Sequence, residues 1–299
     1  MKDYNMELVT VTCLRDLPEM LLQAESISKF LEPCIHWVII NEEHINHSFW
    51  EEHLRPYYKN HQLNIIFPDW NTFSCSSSGY TKQQFYKFDI SRHIQSSKYL
   101  ILDSKNFFIR SCKIIDWSNQ VGSNWVMDFG KKNLWYPLIE QYKKILKMEE
   151  KHNNFCMSIH TPFVMEKHII NKYGIDNILR DFSLTEGYLY SEFLFYSLIS
   201  EKFGYFNPMQ TGPASWYKLF EHRYIKPIFE KHTVKDYIFF PMLLSKKLED
   251  ELLMLKQNTN IYVTGFHRDY VSRLSPDKIN QINEYICSIG LNRKIYKKL

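Results

Sequence analysis

Apolar residues come in two spacings along the first third of the chain. Leu8 to Thr12 is a short β-branched run, and Leu17 to Phe30 follows with Leu21, Leu22, Ile27 and then Leu31 at helical intervals. His36 to Ile40 reads as a second buried strand, Phe49 to Tyr58 as a short helix, and Leu63 to Phe67 as a third strand. Thr81 to Ile94 has helical period, and Tyr99 to Leu102 is an uninterrupted apolar strand. Strands alternating with helices predict an α/β fold: a mostly parallel central sheet flanked by helices.

Past Arg110 the pattern becomes richer in helix. Helices are expected over Tyr136 to Lys151 and over Pro162 to Tyr173, the latter begun by a proline at its first turn. Thr185 to Phe203 reads as a long helix with Thr185 as cap and Gly204 as stop. Ile261 to Gly265 is a late strand, and Ser275 caps a final helix reaching Ile289. No repeat or long linker interrupts the chain, so residues 1–299 read as a single domain. Its natural division is into an α/β half, residues 1–115, expected to bind a nucleotide at the strand ends, and a helix-rich half, residues 116–299, expected to face an acceptor.

Composition narrows the class. With 44% hydrophobic and 23% charged residues, a large core is affordable and global disorder is excluded. Aromatics make up 16%, which suits sugar-binding clefts as well as a bulky core. The net charge of +4 is small and its basic residues form no recognition motif, so no nucleic-acid partner is expected. The six cysteines are scattered without a Cys-x-x-Cys pair, pointing to a reducing, cytoplasmic setting rather than a zinc knot or disulfide framework. Neither a signal core nor a run of about 20 apolar residues is present. The segment Asn292 to Leu299 holds four basic residues among eight, interleaved with Ile295, Tyr296 and Leu299. Such a tail is attracted to anionic lipid, so peripheral contact with the inner membrane face is expected.

Candidate chemistry gathers around Tyr99-Leu100-Ile101-Leu102-Asp103-Ser104-Lys105-Asn106, where a strand runs into a carboxylate and a polar turn. In open α/β sheets ligands bind at the carboxyl ends of strands, and a carboxylate there suits a ribose hydroxyl or a metal bridging a diphosphate. The helix before it opens Gly79-Tyr80-Thr81-Lys82-Gln83-Gln84-Phe85-Tyr86-Lys87, with Gln83 and Lys87 on one face. Amides and an ammonium suit sugar hydroxyls and phosphate oxygens. His267 and Arg268 follow the late strand, a pairing fit for a diphosphate. The remaining histidines, His36 among them, match no metal-ligand spacing and read as surface or satisfied core residues.

Taken in order, Gly-aromatic-x-x-Gln-Gln-x-x-Lys followed by Tyr-Leu-x-Leu-Asp-Ser resembles a family of bacterial GT-A-fold glycosyltransferases of surface-polysaccharide synthesis, long described as a domain of unknown function. Val9 to Leu17 is similar to its first strand and nucleotide-facing loop, and Ser158 to Phe163 to its acceptor-side segment. Thr185-Glu186-Gly187-Tyr188-Leu189-Tyr190 is similar to its Ser-Glu-Tyr-Glu-Leu-Tyr motif, and Gly265 to Arg268 to its late histidine segment. The resemblance spans residues 7 to about 285. It implies transfer of a sugar from a nucleotide-sugar donor, a UDP-sugar, to a glycan or lipid-linked glycan such as O-antigen or capsule.

The resemblance also implies roles. Arg15 and Asp16 face the nucleotide, Asp103 holds the ribose and diphosphate end, and Gln83, Gln84 and Lys87 orient the donor sugar. His267 and Arg268 add to the diphosphate contacts. Glu186 activates the acceptor, while Glu192, six residues on, turns to another side of the same expected helix. Asp128 and Asp181 stay open as alternatives. A divalent cation, Mn2+ or Mg2+, is the family expectation, with Asp103, Asn106 and His267 as its ligands. The usual Asp-x-Asp pattern, however, ends here in Lys105. An ammonium ligates no metal, but it neutralises a leaving diphosphate directly. The same substitution favours an alternative, a non-catalytic nucleotide- or carbohydrate-binding module.

Overall fold

In the computed structural model, the structure describes residues 6–44, 46–69, 79–117, 126–128, 134–148, 155–157, 161–184, 190–205, 238–242, 248–257, 259, 261–266, 271 and 273–292. The chain forms two compact units. The first comprises Met1–Thr72, Leu102–Trp117 and Asp236–Leu299, and the second Phe73–Ile101 and Ser118–Lys235.

The first unit begins with β1 (Glu7–Thr12), α1 (Leu17–Phe30), β2 (Ile35–Ile40), α2 (His47–Leu54) and β3 (Gln62–Ile66). Strands β1, β2 and β3 are parallel neighbours in register, with Thr10 beside Val38 and Val38 beside Ile65. Every residue of β1 is buried, as in strands covered on both faces. Pro18 opens α1, which buries Met20, Leu21, Leu22, Gln23, Ala24, Ser26 and Ile27.

The next strand, β4 (Lys98–Asp103), carries the division between units within it. The larger sheet has the strand order β3-β2-β1-β4-β8, where β8 (Phe163–Glu166) runs antiparallel to β4. It is the expected α/β arrangement, a mostly parallel central sheet flanked by helices.

The first unit is completed by β5 (Asn106–Phe108), β9 (Ile238–Met242), α8 (Leu248–Gln257), β10 (Ile261–Phe266) and α9 (Pro276–Ser288). Strand β10 is the middle of a smaller sheet, antiparallel to β5 and parallel to β9. Under it Leu22, Phe107, Leu248, Leu255, Phe266, Ile282 and Ile286 form one core. Helix α9 starts as its sequence predicts, with Ser275 Oγ accepting from the Lys278 N–H and Pro276 in the first turn.

The second unit holds α3 (Gly79–Asp89), β6 (Val126–Asp128), α4 (Tyr136–Ile145), β7 (Phe155–Met157), β8, α5 (Lys167–Tyr173), α6 (Ile175–Ser183) and α7 (Glu192–Lys202). Its core is aromatic. Phe182 lies 5.0 Å from Phe85 and 5.5 Å from Phe195 between ring centroids, mostly edge to face. Much of the aromatic content is spent here.

Two expected helices are redrawn. Pro162 to Tyr173 splits into strand β8 and helix α5, because Phe163, Val164 and Met165 pair with β4. Helix α7 begins at Glu192, capped by Ser191, whose Oγ accepts from the Leu194 N–H. The expected cap Thr185, the expected catalytic Glu186 and the basic tail from Arg293 onward lie outside the described residues. Among the described residues, no helix is long and apolar enough to cross a membrane.

Candidate functional site

Strand β4 is buried through Leu102 and emerges at Asp103, whose carboxylate is about a third exposed. A turn through Ser104 and Lys105 leads into β5 at Asn106. The wholly buried Asn106 closes this turn, its Oδ1 accepting from the Asp103 N–H at 2.8 Å. Lys105 Nζ stands 3.3 Å from Asp103 Oδ2, so one turn presents a carboxylate and an ammonium side by side. Both are about a third exposed (32% and 34%), so the pair is screened and contributes little to stability.

The turn is gripped from both sides. On one side, Gln23 of α1 donates through Nε2 to the carbonyls of Asp103 at 2.7 Å and Asn106 at 2.8 Å. On the other, Gly265 of β10 pairs with Asn106. A Cβ on Gly265 would come within 2.7 Å of Asn106 Nδ2 and 2.8 Å of the Lys105 carbonyl. Only glycine lets the strand approach this closely.

Behind Gln23 a polar chain crosses the core. Thr10 Oγ1 lies 2.8 Å from Gln23 Oε1, His36 Nε2 lies 2.9 Å from Thr10 Oγ1, and Tyr58 OH lies 2.7 Å from His36 Nδ1. The proton positions follow by elimination. The Gln23 NH2 must face two carbonyls, so its oxygen accepts from Thr10. Thr10 then accepts from a protonated His36 Nε2, and the bare Nδ1 accepts from Tyr58. Complete burial pushes His36 down from 6.5 to about 3, which keeps the ring neutral. His36 is thus a satisfied core residue.

The other sequence candidates fall in several places. Arg15 and Asp16 sit in a short turn after β1, with Arg15 Nε 3.8 Å from Asp16 Oδ1 and Arg15 well exposed. That turn is tied to the end of β2, since the Leu14 N–H donates to the Glu42 carboxylate and the Asn41 N–H to the Thr12 carbonyl at 2.8 Å. Gln83, Gln84 and Lys87 belong to α3 of the second unit. Gln83 is half-buried, while Gln84 is buried and donates to the Tyr80 carbonyl at 3.3 Å. Lys87 is buried too, with its Nζ 2.6 Å from Glu192 Oε1 and 4.9 Å from the centre of the Phe193 ring. Asp181 bonds Tyr173 OH and Arg180 Nε, the latter at 2.8 Å. His267 and Arg268 lie outside the described residues, one step beyond Phe266, as does the side chain of Asp128.

The structure therefore assembles Asp103, Lys105 and Asn106 in one turn and pairs Arg15 with Asp16. The donors do not fit a divalent cation among the described residues. Such an ion asks for six or more oxygens, or several oxygens with waters, whereas this turn offers one carboxylate with an ammonium against it. No group of three His, Cys, Asp or Glu side chains is poised for a metal among the described residues.

Sequence reading passed over Gln23, Thr10 and the Lys87–Glu192 pair. A signal existed for Gln23: it interrupts the apolar stripe of α1 between Met20 and Ile27, where a polar side chain must find buried partners. The strand residue Thr10 and the first-turn residue Glu192 carry no comparable signal.

Among solved structures, the chain is similar to the apo structure of the bifunctional glycosyltransferase WbbM, with TM-score 0.50 and 10% identity over 99% of this chain and 51% of that one. It spans about half the length of that protein. It is also similar to galactosyltransferase LgtC in complex with donor and acceptor sugar analogues, with TM-score 0.46 and 12% identity over 95% and 96% of the two chains. Core-mannan synthase A from Aspergillus fumigatus, in a Mn/GDP form, gives TM-score 0.45 and 8% identity over 67% and 70%. The fold is that of the GT-A glycosyltransferases. Residues 8–216 match a family model, and the chain belongs to that family, a family of unknown function (DUF6492). No curated protein matches its sequence.

Proposed function

We propose that this protein transfers a glycosyl group from a nucleotide-sugar donor, a UDP-sugar, to a growing surface glycan. The observation that carries the reading is the turn after β4. A carboxylate and an ammonium project together from the carboxyl end of a buried strand, in a fold shared with glycosyltransferases. In this reading Asp103 accepts a hydrogen bond from a ribose hydroxyl. Lys105 leaves Asp103 for the diphosphate and neutralises the charge that develops as the glycosidic bond breaks.

Arg15 and Asp16 contact the nucleotide, and Gln83 the donor sugar. His267 and Arg268 complete the diphosphate contacts. Glu186 takes the acceptor proton if configuration inverts. Lys87 is engaged by Glu192 in the core and takes no part in donor contacts. The acceptor is a lipid-linked glycan reached from the inner membrane face, with the basic C-terminal tail as a loose electrostatic tether.

The Asp103–Lys105 pairing also favours a second reading, a binding module that holds a nucleotide without turning it over. Calorimetric titration with UDP- and GDP-sugars, followed by UDP release in the presence of extracted glycan, separates the two. Saturable binding lost in Asp103→Asn together with UDP release supports the transferase. Binding without release supports the module, and absence of binding to any nucleotide sugar refutes both.

A further inference from the structure

The two charged side chains of the turn are only as well aimed as its backbone. That backbone is not fixed by its own sequence alone. The carbonyls at its two ends, Asp103 and Asn106, converge on the single amide of Gln23, at 2.7 and 2.8 Å. The amide in turn cannot flip. Its oxygen is held by Thr10, Thr10 by His36, and His36 by Tyr58, all within the buried core of the first unit. A rotation of Gln23 would set its oxygen against two carbonyl oxygens and lose both bonds to the turn.

We propose that Gln23 is a positioning residue for donor binding: it sets the backbone of the Asp103–Asn106 turn and thereby the placement of the Asp103 carboxylate and the Lys105 ammonium on the donor diphosphate. The proposal rests on the reading of this turn as the donor site. Gln23 touches no substrate and acts only through the turn.

Two substitutions separate this role from general packing. Gln23→Met keeps volume and removes both hydrogen bonds to the turn. Gln23→Glu keeps the volume and the acceptor for Thr10, but an oxygen replaces the NH2 that donates to both carbonyls. Ionised, it donates to neither; protonated, it donates to one at most. The imidazole of His36 stays neutral between pH 8 and pH 5.5, and the diphosphate diester of a UDP-sugar does not titrate there. Asp103 and Lys105, the charged groups of the turn itself, are common to wild type and variants.

The probe is UDP-glucose, titrated at pH 8 and pH 5.5, with backbone amide exchange of residues 103–106 measured in parallel. The expected result is affinity about tenfold or more below wild type for Gln23→Met at both pH values. Gln23→Glu, which can restore one of the two bonds at most, should also bind more weakly than wild type, and turn amides should exchange faster wherever binding is weak. Wild-type affinity in Gln23→Met would overturn the proposal. Should Gln23→Met not fold, wild-type affinity with wild-type turn exchange in Gln23→Glu overturns it instead. A wild-type protein that binds neither UDP-glucose nor any other nucleotide sugar removes the donor-site reading, whereas unchanged turn exchange in both variants removes Gln23 as the positioner whatever the ligand.

Discussion

The ammonium of Lys87 and the carboxylate of Glu192 meet at 2.6 Å with 5% and 4% of their side chains exposed, joining α3 to the first turn of α7. Both charges are held in the core, where the Phe193 ring face gives Lys87 only partial compensation for a lost counter-ion. Removing one partner strands a charge in the core. Lys87→Met and Glu192→Leu should each lower unfolding free energy by about 3–5 kcal/mol. The double variant should recover most of that loss, because an apolar pair of similar volume needs no desolvation. Urea unfolding of the three variants checks the cycle. A double variant as unstable as the worse single one would show that packing, not charge, dominates here.

Gly265→Ala should destabilise the first unit by about 1–3 kcal/mol, the range for overpacking a tight site. The added methyl collides with Asn106 and with the Lys105 carbonyl, which is backbone and cannot swing away. Nucleotide-sugar affinity should fall with it, since the displaced turn carries Asp103. Thermal unfolding and titration calorimetry on the same sample test both effects. An unshifted midpoint would mean that the turn yields freely.

Acid should act through His36. In the folded protein it stays neutral down to about pH 3, while the unfolded chain takes up a proton near 6.5. The unfolded state therefore binds more protons below pH 6.5. Stability tied to this residue is complete above that value and declines by about 1.4 kcal/mol per pH unit as pH falls toward 3. His36→Gln, which carries no such proton, should show a shallower slope between pH 6 and pH 4.5 in denaturant titrations. Parallel slopes for the two proteins would contradict the assignment.

Lys105 is expected to do the electrostatic work that a cation performs elsewhere. Lys105→Ala should lower turnover by about 100-fold or more, near 3 kcal/mol, with EDTA leaving the wild type unaffected. Lys105→Asp should behave differently. Two carboxylates on one short turn repel each other unless a cation joins them, so Mn2+ should raise activity in this variant alone. Wild-type loss of activity in EDTA would return the role to a metal.

The parallel half of the fold was legible because β1, β2 and β3 are short, mostly apolar or β-branched runs and α1 repeats its apolar residues at helical spacing. Strand β8 was not. Phe163 to Met165 is an apolar run too short to tell strand from helix, and its strand character comes from β4, which sequence does not show as its partner. Helix α7 is buried on every side from Glu192 to Ser200, so no polar face marks where it starts, and Ser191 was passed over for Thr185. Asp103 stood out as a carboxylate ending an apolar strand. The apparatus behind it did not, because Thr10, His36 and Gln23 are brought together by the packing of β1, β2 and α1 rather than by any spacing along the chain.

Strand β5 has a consequence for the order in which the molecule is made. Phe107 and Phe108 are buried, yet their hydrogen-bonded neighbour is β10, which the ribosome delivers long after β5. Until then the segment that bears the candidate site has an open strand edge, and Phe107 lacks the core partners Leu248, Phe266 and Ile282, a sticky combination. The stretch that matches the family model, residues 8–216, ends before β9, α8, β10 and α9. Trimming the chain to that stretch removes the cover of the core under β5, so the shortened protein should collect in inclusion bodies rather than fold as a minimal unit.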